Sequence, residues 1–147
     1  MSQSLDTADS RLQTIADEFS DLEPRERLEL LLDYAERLPP LPAALQAARD
    51  AGEHRVHECQ TPVYLWVQSE NGRVRVYCDV APEAPTIKGF VSILIEAFAG
   101  AAPSEVLAVA PNVIQRLGLI EALGMVRMRG LSAILNRIRE EVRKAAP

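Results

Sequence analysis

Cysteine is scarce in this chain: Cys59 and Cys78 are the only two. Histidine is equally scarce, so the soft metal ligands amount to His54, His57, Cys59 and Cys78, and their spacing fits no zinc pattern. Long apolar runs are missing too. None approaches the roughly 20 residues that a bilayer-spanning helix needs, so no membrane association is expected. Met1 to Ser10 is polar and acidic without an apolar stretch, which does not read as a secretory signal. A cytoplasmic location is the resulting expectation, and there two cysteines are expected as thiols rather than a disulfide. Excess positive charge is absent: the net charge is −5, which gives no electrostatic reason to seek nucleic acid or an anionic membrane. There is no glycine-rich phosphate loop, internal repeat, low-complexity tract or linker.

What is present is an ordinary globular balance, 48% hydrophobic and 25% charged over 147 residues. That suits one domain over residues 1–147 with a core of its own, residues 1–6 and 145–147 being expected to fray. Thr7 can cap a helix over residues 8–19. Pro24 suits a first helical position, and Leu28, Leu31, Leu32, Ala35 and Leu38 then recur at helical spacing. Pro39-Pro40-Leu41-Pro42 ends that helix, and residues 43–50 read as a turn or two more.

The period then changes. Val63 to Val67 reads as a strand buried on both faces, and Asn71-Gly72 is a hairpin signal. Val74, Val76, Cys78 and Val80 alternate with Arg73, Arg75, Tyr77 and Asp79, which makes a half-buried antiparallel strand. Thr86 is a candidate cap for an almost wholly apolar helix to about Ala99, which should be the central one. Gly100 stops it. Pro103 opens a short helix to about Val109, residues 112–123 read as short helical pieces, and a last helix runs over roughly 127–145. The pattern predicts an α+β fold, a small antiparallel β-sheet packed against several α-helices.

The two cysteines differ in kind. Cys78 is in phase with three valines and reads as a small core hydrophobe. Cys59 lies among His57, Glu58, Gln60 and Thr61, which have no apolar period, so it is expected on an accessible loop. It is either incidental there or a nucleophile, active as thiolate and helped by a nearby positive charge. His57 is a weak candidate for that help, its plainer reading being a solvated loop histidine.

The stretch Val56-His57-Glu58-Cys59-Gln60-Thr61-Pro62-Val63 resembles the active loop of the SufE family. Ala84-Pro85-Thr86-Ile87-Lys88-Gly89 resembles that family's second block. Leu123 to Met128, followed by Arg129-Gly130-Leu131, is similar to its C-terminal Arg-x-x-Gly-Leu helix start, with Arg127 in the place of the arginine. The likeness spans roughly residues 10–143, and Glu-Cys-Gln-Thr-Pro looks like the actinobacterial branch. The resemblance implies a fold of the SufE/NifU-like kind. It implies sulfur transfer: Cys59 accepts persulfide sulfur from a SufS-type cysteine desulfurase, stimulates it, and passes the sulfur to a downstream scaffold for iron–sulfur cluster assembly. Pyridoxal phosphate then belongs to the desulfurase, and the chain needs no cofactor or metal of its own. Arg127 becomes a contact of the thiolate or of the partner, against the plainer reading of a solvated helix-start charge. Glu83, Lys88 and Gly89 are weaker candidates, Gly89 serving close packing if nothing else.

Two residues depart from the family pattern. Many members have Gly where this chain has Glu58, which suggests a stiffer loop and a carboxylate beside the thiol. Many have Trp where this chain has Tyr64, a position expected to pack under the loop. The alternatives are a partner-binding regulator that transfers nothing, an iron–sulfur scaffold, for which one exposed cysteine is too few, and, more remotely, a thiol hydrolase.

Overall fold

The structure, a computed structural model, describes residues 6–145. Helix α1 (Ala8–Ser20) opens as expected on Thr7, whose side chain accepts from the Ser10 amide while Ser10 returns the bond, a capping box. Helix α2 (Pro24–Ala35) has Pro24 in its first turn. Helix α3 (Ala43–Asp50) follows the proline run. Strands β1 (Val63–Glu70) and β2 (Arg73–Val80) form the hairpin. Then come α4 (Pro85–Phe98), α5 (Pro103–Ala108), α6 (Val113–Arg116) and α7 (Ile120–Ala145). This is the α+β architecture the pattern predicts. The frayed ends expected at residues 1–5 and 146–147 lie outside the described residues, whereas Asp6 pairs with Arg11 and Ala145 is helical.

Among the described residues the sheet consists of β1 and β2, antiparallel, in a register that sets Val63 opposite Val80, Leu65 opposite Cys78 and Val67 opposite Val76. One face therefore carries the apolar set toward the helices, as the alternation requires. Asn71 and Gly72 both have positive φ (55° and 75°), the condition for a two-residue turn that keeps the strand twist. A two-stranded sheet is marginal by itself and needs cover. On the core side that cover is α4, whose Phe90, Val91, Ile93, Leu94, Ala97 and Phe98 are all buried. Gly89 lets α4 approach α2 closely: a Cβ there would fall on the Leu31 carbonyl oxygen.

Each sheet edge is covered along part of its length, which blunts it there. Beyond β2, the Val74 amide donates to Ala101 O (2.7 Å) and the Gly100 amide to Val74 O (2.9 Å). Beyond β1, the segment at 54–56 runs alongside: Leu65 N donates to His54 O (3.0 Å) and Val56 N to Val63 O (2.8 Å). Trp66, on the outer face, is buried under the His54 ring, centroid to centroid 5.3 Å.

Three details differ from expectation. Helix α4 starts at Pro85, with Ala84 at its cap position and no side-chain cap, so Thr86 lies inside the first turn. Helix α7 starts earlier than its apolar stripe suggests, at Ile120, and is interrupted at Gly124 (φ 80°, ψ 167°), a backbone shape that only glycine adopts readily. The apolar stripe begins after that corner, which is why periodicity found only the second segment. The third concerns Cys59, which is buried.

Candidate functional site

Val56 and Val63, joined by their backbone hydrogen bond, close the base of a short loop that enters β1. Cys59 N donates to Val56 O at 3.1 Å, so the chain turns back on itself at the loop tip. His57, Glu58, Gln60 and Pro62 stand in solvent and Thr61 is half-buried. Between the two valines, Cys59 alone turns fully inward, 3% exposed. Its loop position is as expected; its accessibility is not. The polar neighbours carried no signal of this, because the surface that receives the thiol lies on α7, far away in sequence.

That surface is Gly130. A Cβ built there would meet Cys59 Sγ at 3.3 Å. The missing side chain is what lets the sulfur rest on the helix. Gly130 is the glycine of Arg-x-x-Gly-Leu, and the motif alone does not reveal this role. A mid-helix glycine, costly by about 1 kcal/mol against alanine, was the available signal.

Around the thiol lies an open cleft of about 300 Å³, lined by Glu58, Cys59, Gln60, Thr61, Ile87, Val126, Arg127, Arg129 and Gly130. The structure thus brings Arg127 to the same cleft as Cys59, on the first turn after the Gly124 corner. Arg127 is exposed and forms no ion pair among the described residues. A second groove adjoins, sharing Thr61, Ile87 and Arg127 and adding Glu83, Ala84 and Thr86. Glu83 therefore shares one depression with Arg127. His57 and Lys88 line neither. Val126, on the cleft wall, and Met125, its neighbour in sequence, are 79% and 72% exposed.

The two expected departures have places. Tyr64 is half-buried opposite Arg55, beneath the start of the loop. The Glu58 carboxylate lies 3.9 Å from Arg137 Nη1 on α7. Cys78 sits on the buried face of β2 as expected, and burial pushes its thiol well above the ordinary range, with Asp79 and then Cys59 adding smaller contributions of the same sign. Such a thiol stays protonated and is a poor nucleophile. Both cysteines are free, and among the described residues no three His, Cys, Asp or Glu side chains converge as a metal site. No helix among those residues is long and apolar enough to cross a membrane.

A single loop cysteine laid on a helix glycine, with arginines on the cleft wall, makes this an α+β protein with one candidate reactive thiol. The model of the SufE family, described as an Fe-S metabolism associated domain, matches residues 13–142. A SufE-like protein of Mycobacterium tuberculosis is 36% identical over 135 residues, 91% of this chain and 92% of that one. SufE-like protein 2, chloroplastic, of Arabidopsis thaliana is 39% identical over 101 residues, 67% of this chain and 37% of its own length. Among solved structures, a hypothetical protein from Thermus thermophilus is similar with a TM-score of 0.76 and 39% identity, covering 92% of this chain and 95% of that one. The chain belongs to the SufE family, and its general role lies in the sulfur metabolism of iron–sulfur clusters.

Proposed function

We propose that this protein accepts sulfur onto Cys59 from the persulfide of a SufS-type cysteine desulfurase, stimulates that enzyme, and delivers the sulfur to an iron–sulfur scaffold. The observation that carries the reading is the inward turn of Cys59 in a loop whose neighbouring residues, His57, Glu58 and Gln60, face water. A thiol held that way is shielded from oxidants at rest and needs only loop movement to reach a donor.

The transfer balances without a further reactant. The Cys59 thiolate attacks the outer sulfur of the donor's Cys–S–SH. A new S–S bond forms at Cys59, the donor's S–S bond breaks, and the donor cysteine leaves as thiolate. The persulfide proton stays with the transferred sulfur. Pyridoxal phosphate resides on the desulfurase, and this chain acts through its own residues. Arg127 and Arg129 line the same cleft as the thiol, where a docking donor meets them. Arg127, without an ion pair among the described residues, is also free to meet a carboxylate of the partner. Met125 and Val126 offer apolar surface that a docked donor covers. The cytoplasm supplies the reducing setting in which both cysteines stay free.

Buried placement also fits a second reading, a regulator that binds the desulfurase and accepts nothing. Incubation with desulfurase and free cysteine separates them. Acceptance gives a +32 Da adduct that Cys59→Ala abolishes together with stimulation; a regulator keeps full stimulation in Cys59→Ala.

A further inference from the structure

Arg137, about two turns beyond Gly130 on α7, is joined to the Cys59 loop at two points. Its Nη2 donates to Arg55 O at 3.1 Å, just before the loop base, and its Nη1 lies 3.9 Å from the Glu58 carboxylate, next to the thiol. The Arg137 side chain is 27% exposed and that of Glu58 67%. The carbonyl bond is therefore the firm contact, and the Glu58 pair is the weaker, solvent-screened one. On its other side, Arg137 Nε lies 3.8 Å from Glu141 Oε2. When the loop leaves, the guanidinium keeps a carboxylate and is not left uncompensated.

We infer that Arg137 is a positioning residue for the sulfur-accepting loop, a latch that holds Cys59 closed on Gly130 and stays paired with Glu141 when the loop swings out. The role rests on the acceptor reading for its purpose, but not for its measurement. It gives Glu58 a function: its carboxylate serves the guanidinium on α7. It also makes release local, because the contact to be broken lies at the helix surface, in an open groove shared by Glu58, Arg137 and Glu141. A docking protein reaches Arg137 there without disturbing the core.

The test is the rate at which iodoacetamide alkylates Cys59 in the full chain, read by peptide mass with Cys78 as the internal reference and no desulfurase present. Loss of one charge-assisted bond corresponds to roughly a tenfold faster rate in Arg137→Ala. Arg137→Lys, which keeps the charge but not the fork, falls between, and Glu58→Gln gives a smaller rise than Arg137→Ala. Raising the salt concentration speeds the wild type slightly and Glu58→Gln not at all. Throughout, Cys78 reactivity and the thermal melt stay at wild-type values. An unchanged Cys59 rate in Arg137→Ala and Arg137→Lys overturns the latch, and so does a rise shared by Cys78 with a lowered melt, which marks general loosening. Neither result bears on whether Cys59 accepts sulfur, which the adduct with desulfurase reads separately.

Discussion

The Cys59 sulfur lies on the backbone of Gly130, close enough that a single added methyl group would touch it at 3.3 Å. The loop and the last helix are thus fitted to each other by an absence, and the fit decides how far the reactive atom is from water.

Gly130→Ala follows directly. The methyl group crowds the thiol, while alanine is worth about 1 kcal/mol over glycine in a helix interior. The expected outcome is a thermal melt near the wild-type value together with severalfold faster alkylation of Cys59. A faster rate without a lowered melt marks eviction of the loop; an unchanged rate contradicts the seat at Gly130.

Gly89→Ala acts on the fold. Its methyl falls on the Leu31 carbonyl oxygen, backbone that cannot step aside without parting α2 from α4. A loss of about 3 kcal/mol or failure to fold is expected, read by urea denaturation.

High pH destabilises the protein through two buried acids. Burial raises both Cys78 and Tyr34, the latter also through its 2.8 Å bond to Glu18. In the unfolded chain they ionise near 9.0 and 10.0, while in the fold they stay protonated. Above those values the unfolded state binds fewer protons than the native state, so stability falls as pH rises. The contribution is intact below about pH 9. Melting temperatures measured from about pH 7 to about pH 11 should decline from about pH 9 in the wild type, and later in Cys78→Ala, where only Tyr34 remains of the pair.

Arg127→Ala should slow sulfur acceptance by roughly tenfold, the worth of one charge-assisted contact, with the melt unchanged because Arg127 is exposed. Single-turnover transfer from persulfidated desulfurase measures it.

Much of the fold is legible because its signals are local. Thr7 with Ser10, Pro24, Asn71-Gly72 and the Val74-to-Val80 alternation each fix backbone or face within a few residues. The α7 corner is less so, since Gly124 looks like any helix glycine until its φ of 80° is seen. Of the site, Cys59 and Arg127 were reachable through the family's motifs. The burial of Cys59, the seat at Gly130 and the grip of Arg137 depend on contacts between residues far apart in sequence, which no local pattern encodes. Glu58 neighbours the thiol in sequence, while its carboxylate pairs across the groove with α7.

Intact-mass spectrometry after incubation with a SufS-type desulfurase and free cysteine tests the central claim most directly. A +32 Da species on the wild type and on Cys78→Ala, absent from Cys59→Ala, is the predicted result. An adduct that survives Cys59→Ala, or moves only with Cys78→Ala, would contradict it.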